Sequence, residues 1–191
     1  NKYMIGLIVA STLGFIIGLA DDTYNTNPLV KFIGQLTCAF ILIGSDIYIR
    51  VLGIPAFDYL ITILWVIGLM NSINMLDNMD GITASISCTI IIITFIIAVF
   101  SGTNDICTSI ILIGELGALI GFLIFNWNPS KMYMGDTGSQ FLGVFLAAIS
   151  ILFHWSYKDS IDAPPFQFKQ FVIPMLVFIV PLIDTITVTI R

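Results

Sequence analysis

The stretch Thr89-Ile-Ile-Ile-Ile-Thr94-Phe-Ile-Ile-Ala-Val-Phe100 decides the fold class. It is continuously apolar, without the in-out alternation that a barrel strand of about ten residues needs. Extended back to Ile82 it is long enough to cross the hydrocarbon core as a helix, which takes about twenty residues. Similar blocks cover residues 4–20, 31–50, 57–70, 106–125, 138–155 and 171–191, split by short segments rich in Asp, Asn, Gly and Pro. The chain is 58% hydrophobic and only 10% charged, against about 25% charged in a soluble domain. These features predict an all-α fold, a polytopic transmembrane helical bundle of about seven spans. A single membrane-embedded domain over residues 1–191 is expected.

The first block lacks the positive region and cleavage site of a signal peptide and reads as a span. The chain opens on Asn1 and closes on Arg191 directly behind an apolar block, so both ends are expected to be cut from a longer protein. Cys38, Cys88 and Cys107 have no metal-type spacing and read as small packing residues. The net charge of -5 comes from carboxylates clustered in loops, which excludes a nucleic-acid partner.

Counting spans from the first puts Asp21, Asp22, Asp77, Asp80 and Asp136 on one side of the bilayer. Lysines and arginines do not orient the bundle: Lys31, Lys131 and Arg191 fall on that side, and Lys2, Arg50, Lys158 and Lys169 on the other.

The segment Asn71-Ser-Ile-Asn74-Met-Leu-Asp77-Asn-Met-Asp80-Gly81 spaces four polar groups three residues apart. On a continuous helix Asn74, Asp77 and Asp80 would share a face. Such oxygens suit a hard cation such as Mg²⁺, which takes one or two protein ligands and leaves the rest to phosphate and water; a capped loop is the alternative.

The segment Asn126-Trp-Asn128-Pro129-Ser-Lys131-Met-Tyr133-Met-Gly135-Asp136-Thr-Gly138-Ser139 combines a turn, a lysine, an aromatic and a carboxylate between glycines, a mix suited to a nucleotide diphosphate. The next span starts near Gly138, so its first amides are expected to face an anion. The string Gly18-Leu-Ala-Asp21-Asp22-Thr-Tyr-Asn-Thr-Asn-Pro28-Leu-Val-Lys31-Phe-Ile-Gly34-Gln35 adds two carboxylates at a membrane mouth.

In order along the chain, five motifs resemble those of the polyprenyl-phosphate N-acetylhexosamine-1-phosphate transferase family, which contains the MraY and WecA enzymes. They are Asp21-Asp22, the Asn71/Asn74/Asp77/Asp80-Gly81 array, Phe125-Asn126 with Pro129, Met134-Gly135-Asp136 with Gly138-Ser139, and Pro181-Leu-Ile-Asp184-Thr185. The resemblance covers essentially the whole chain. It implies transfer of a sugar-1-phosphate from a UDP-sugar to polyprenyl phosphate, releasing UMP, for cell-envelope polysaccharide synthesis. Mg²⁺ is the implied cofactor, with Mn²⁺ as its substitute.

By that similarity Asp136 is a metal ligand with Asn74 a second oxygen. Asp21 positions or deprotonates the lipid phosphate, and Asp22, Asp77 and Asp80 complete the catalytic shell. Asn71, Asn74, Asn126, Lys131 and Tyr133 are the implied substrate contacts, Tyr133 by stacking on a nucleobase or by anchoring at the interface. The implied partners are the UDP-sugar, the polyprenyl phosphate, the lipid bilayer and a second copy of the chain as a homodimer. The implied location is the cell (inner) membrane, with the site on its cytoplasmic face. The string from Asp21 to Gln35 looks more like the WecA branch, which uses UDP-GlcNAc or related sugars; the MurNAc-pentapeptide donor of the MraY branch is the alternative.

The family's histidine-containing motif is expected beyond Arg191, and His154, at the far end of the sixth span, is given no catalytic role. Asp184 matches the Pro-x-x-Asp-Thr pattern and is expected to orient a loop. Glu115 lies mid-span and is expected to make an interhelical hydrogen bond in its protonated form. An ion-coupled transporter is the rival reading, since intramembrane acids are its hallmark; most acids here are in loops instead.

Overall fold

In a bilayer the backbone cannot give its N–H and C=O groups to water, and a helix satisfies them within itself. The computed structural model describes residues 2–100, 106–155 and 168–190, and these hold helices and no strand. The elements are α1 (Lys2–Tyr24), α2 (Pro28–Gly44), α3 (Pro55–Leu76), α4 (Ile82–Phe100), α5 (Ile106–Asn126), α6 (Gly135–Ser150, continued by a π-helical turn, Ile151–Trp155), α7 (Phe168–Val177) and α8 (Ile179–Ile190). Helices α1, α3, α4, α5 and α6 with its continuation are each long and apolar enough to cross a membrane. Helix α2 is a shorter apolar helix, and α7 with α8, bent by 71° at their junction, is together long and apolar enough for one further broken span or a re-entrant hairpin. The bundle of about seven spans read from the sequence is thus the architecture of an integral membrane protein. The predicted turn at 101–105, Lys158, the Pro164-Pro165 loop and Arg191 lie outside the described residues.

Local chemistry sets the helix boundaries. Asn27 caps α2 by accepting the Leu29 N–H at 2.9 Å, with Pro28 as the first helical residue. The expected second span to residue 50 stops instead at Gly44, where Asp46 turns the chain at a φ of 67° and pairs with Lys2 at 2.9 Å. Asp58, in the first turn of α3, accepts the Val51 and Leu52 amides and folds the intervening segment back, burying Ile47 and Ile49. The single last span expected from the sequence is two helices because Pro181 has no amide to donate and its ring crowds the carbonyl of Val177, where α7 ends. Phe178 fills that corner against Trp65 and His154.

Helix α6 is the axis of the bundle, buried over 78% of its span. Helix α1 lies antiparallel to it through Gly14 and Gly18, and α3 through Met70 against Gly143, small residues that let backbones approach closely. Trp65 Nε1 donates to Ser150 Oγ at 2.7 Å toward the other end of the α3–α6 pair. Helix α2 packs on α1 and α3, and α8 is tied to α3 by a Thr185 Oγ1 to Ser72 Oγ bond of 2.7 Å. Helix α5 packs on α4 and diverges from α1 and α6, with only 17% of its span buried. The interhelical hydrogen bond expected of Glu115 is therefore missing: its carboxyl bonds no described residue and lines the cleft beside Ser11 and Phe141. Cys38 and Cys88 are buried as expected, whereas Cys107 is exposed at the start of α5. His154 is buried with Nε2 3.2 Å from Thr94 Oγ1.

Candidate active site

The C-terminal ends of α1, α3 and α5 and the N-terminal ends of α2, α4 and α6 meet at one end of the bundle, and this gathers the motif residues. Gly135 opens α6 at a φ of 66°, which a side chain resists, and a Cβ there would also meet the Asp22 carboxylate at 3.0 Å. The turn aims the first amides of α6 at Asp22, which accepts the Asp136 N–H at 2.9 Å, the Thr137 N–H at 2.8 Å and the Thr137 hydroxyl at 2.5 Å. The anion expected at this helix start is thus a carboxylate of the chain itself, set on α1 and acting as the cap of α6.

That cap fixes Asp136. Its Oδ1 accepts Asn74 Nδ2 at 2.6 Å, and its Oδ2 accepts Lys31 Nζ at 2.5 Å. Lys31 also donates to Asp21 Oδ2 at 2.8 Å, and Asn74 Oδ1 lies 3.5 Å from the same ammonium. Asp21 is held in turn by the Thr26 N–H at 2.9 Å and hydroxyl at 2.5 Å, and Asn74 Nδ2 also reaches Ser139 Oγ at 2.9 Å. Oxygens from α1, α3 and α6 therefore converge on one cation supplied by α2.

The Asn71-to-Asp80 array does not share a helical face as expected. Helix α3 ends at Leu76 with Asp77 as its C-cap, because the Asn and Asp side chains here compete for backbone groups, as Asn78 does for the Met75 carbonyl, and Gly81 takes a φ of 73°. Asn74 reaches the cation point, but Asp80 turns to the facing loop, accepting Asn128 Nδ2 and the Ser130 N–H, each at 3.1 Å. Asn126 braces the same junction: its Oδ1 accepts the Gly81 N–H at 3.0 Å and its Nδ2 donates to Met132 O at 2.8 Å. Asn71 exchanges two 3.1 Å bonds with Gln35, which also reaches Gln140. Lys131 and Tyr133 are exposed on the rim, Tyr133 at 75%.

Sequence reading singled out Asp21, Asn74 and Asp136 but assigned no site role to Lys31, Thr26, Gln35 or Ser139. The available signal was Lys31 itself, a cation three residues into an apolar helix whose mouth is lined by acids.

Burial raises the Asp77 carboxyl to about 6, with the charges of Asp136 and Asp22 adding to the rise and the Thr83 hydroxyl and Gly135 N–H opposing it. A carboxyl whose folded pKa lies above its unfolded value stabilises the fold below the unfolded value, and that contribution is lost as pH rises through the folded one. The melting temperature is expected to fall between pH 4 and 6 by more in the wild-type protein than in Asp77→Asn; identical slopes in a pH series of thermal melts would refute it.

Among the described residues no three His, Cys, Asp or Glu side chains are arranged to hold a metal ion. The donors that do converge are two carboxylates and an amide oxygen around an ammonium, a set suited to a hard cation sharing its coordination with phosphate and water.

The chain is 30% identical over 98% of its length to a Bacillus subtilis protein named probable undecaprenyl-phosphate N-acetylglucosaminyl 1-phosphate transferase, covering 52% of that protein. It is 28% identical over 98% of its length to the decaprenyl-phosphate N-acetylglucosaminephosphotransferase of Mycolicibacterium smegmatis, covering 51% of it. Over 52% of the chain it is 44% identical to the phospho-N-acetylmuramoyl-pentapeptide-transferase of Streptococcus pyogenes, covering 29% of that protein. The chain thus spans about half the length of the curated relatives it matches end to end. Residues 4–154 match the family model of glycosyl transferase family 4, a stretch that holds Asp21, Lys31, Asn74 and Asp136, and the chain belongs to that family.

Proposed function

We propose that the protein transfers a sugar-1-phosphate, N-acetylglucosamine-1-phosphate, from a UDP-sugar to polyprenyl phosphate, releasing UMP and leaving a lipid-linked diphosphate sugar. The observation that carries this reading is the convergence of Asp21, Asn74 and Asp136 oxygens on one cationic point at the ends of the spans, where a lipid phosphate and a water-soluble nucleotide can meet. The names of the two relatives matched over 98% of the chain support a polyprenyl phosphate acceptor and the N-acetylglucosamine donor. The 44% identity to a pentapeptide transferase favours, as a second reading, a UDP-MurNAc-pentapeptide donor, but over 52% of the chain only. We place this end of the bundle at the cytoplasmic face of the cell membrane, the side on which nucleotide sugars are supplied.

A dianionic lipid phosphate must approach a diphosphate, so positioning and charge neutralisation do most of the work. Asp136 and Asn74, with Asp21 beside them, would hold Mg²⁺, or Mn²⁺ in its place, which supplies positive charge to the diphosphate oxygens. Asp21, fixed by Thr26, orients the lipid phosphate; no strong base is needed because a phosphate with a second pKa of about 6 is already mostly ionised at neutral pH. An oxygen of the lipid phosphate forms a bond to the β-phosphorus of the donor, and the bond from that phosphorus to the bridging oxygen breaks, its electrons leaving on UMP. Asp22 and Asp80 act at one remove: Asp22 sets the start of α6, and Asp80 sets the loop that precedes it.

The purified protein is expected to exchange labelled UMP into UDP-N-acetylglucosamine only when polyprenyl phosphate and Mg²⁺ are both present. Exchange that persisted in EDTA would remove the metal from the scheme, and exchange without the lipid would point to a covalent enzyme intermediate in place of direct attack.

A further inference from the structure

Three oxygens that face one point, Asp21 Oδ2, Asp136 Oδ2 and Asn74 Oδ1, are shared by a single side chain, the ammonium of Lys31, at 2.8, 2.5 and 3.5 Å. The side chains of Lys31 and Asp21 are only 17% and 13% exposed, so water does little to loosen the contact. Both oxygens of Asp136 are engaged, one by Asn74 and one by Lys31. A second cation at this point would meet the ammonium at contact distance, and like charges there repel. We propose that Lys31 is a built-in counter-ion that occupies the cation site when no substrate is bound and gives it up when a divalent metal arrives with the diphosphate, its charge then passing to a phosphate oxygen. This rests on the metal reading above and adds an order of events to it: metal binds weakly alone and tightly with nucleotide.

Several features make the exchange economical. Lys31 stands in the first turn of α2, next to the Asn25–Asn27 loop, so its long side chain can move without moving a packed helix. The charge it releases is needed by the incoming diphosphate, while the carboxylates it leaves are those the metal takes up.

The test is a titration of the purified protein in nanodiscs with Mn²⁺, followed by the free-ion signal in electron paramagnetic resonance, with and without UMP. In the wild-type protein UMP should tighten Mn²⁺ binding at least tenfold. In Lys31→Met, Mn²⁺ alone should bind at least tenfold tighter than in the wild-type protein, and UMP should tighten it by a smaller factor than in the wild-type protein. Lys31→Arg, which keeps the charge, should show no such gain, and Lys31→Gln repeats the test if the methionine variant does not fold. Mn²⁺ binding in the folded Lys31→Met or Lys31→Gln protein that is equal to or weaker than wild type overturns the counter-ion role. If Asp136→Asn binds Mn²⁺ like the wild-type protein, the metal site itself is misassigned, a separate failure.

Discussion

Asp136→Ala is expected to lower sugar-phosphate transfer by about a thousandfold or more, the largest activity loss of any single substitution in the chain. A metal that neutralises the diphosphate is worth several kcal/mol of transition-state stabilisation, and about 1.4 kcal/mol is a factor of ten in rate. Asp136 is the residue whose two oxygens join the contributions of α2 and α3 to α6, so no neighbouring carboxylate can take its place without moving a helix. The alanine variant also strips an acceptor from Lys31 and from Asn74, so Asp136→Asn, which keeps the size and one oxygen, separates charge from shape. Both variants should lose activity by similar factors, and the asparagine variant should melt within a few degrees of the wild-type protein. Single-turnover transfer from a radiolabelled UDP-sugar checks the first statement and thermal melts in detergent the second. Undiminished turnover in either variant would sink the assignment of Asp136 as a metal ligand.

What the sequence disclosed and what it withheld follow from the range of each signal. The spans were legible because hydropathy is a local property: the block around Thr89–Phe100 could be nothing but a helix in lipid. Counting them placed Asp21, Asp77 and Asp136 at one end, and the contacts of Asp22 with Asp136 and of Asp80 with Ser130 join that end as the count required. The partners of each carboxylate were not legible, because they depend on which helices become neighbours. Asp22 and Asp136 are far apart in sequence, and nothing in either motif says that the first caps the helix carrying the second. Periodicity misled at Asn71 to Asp80, since a three-residue spacing is helical only while the backbone stays helical, and the polar side chains themselves end it at Leu76. Glu115 was assigned a hydrogen bond on the general cost of an acid in lipid, which is silent about how far α5 stands from α1 and α6.

The second large effect is expected at a residue with no reactive group. A Cβ on Gly18 would lie 2.1 Å from the Asp136 carbonyl oxygen and 2.5 Å from Thr137 Cα. Both are backbone atoms of the first turn of α6, so no rotamer change relieves the clash and α1 must move away. Overpacking of this kind costs about 1 to 3 kcal/mol, and Gly18→Ala should fall at the top of that range. The same shift carries Asp22, one turn further along α1, away from the Asp136 and Thr137 amides and weakens a cap worth about 1 kcal/mol. Activity should therefore fall together with stability, because the cap is what sets the start of α6 under Asp136. Gly14→Ala should cost less, since its closest new contacts, 2.8 Å to Val144 Cγ1 and 3.0 Å to the Gln140 carbonyl oxygen, overlap less than the 2.1 Å approach at Gly18. Gly68→Ala has nothing within 4 Å and should be neutral or stabilising by up to about 1 kcal/mol, the ordinary gain of alanine over glycine in a helix. The order of melting temperatures, Gly68→Ala above Gly14→Ala above Gly18→Ala, is the quantity to measure, with transfer activity recorded on the same samples. A Gly18→Ala protein that melts and turns over like the wild type would mean that α1 and α6 do not meet this closely, and the geometry that joins Asp21 and Asp22 to Asp136 would have to be redrawn.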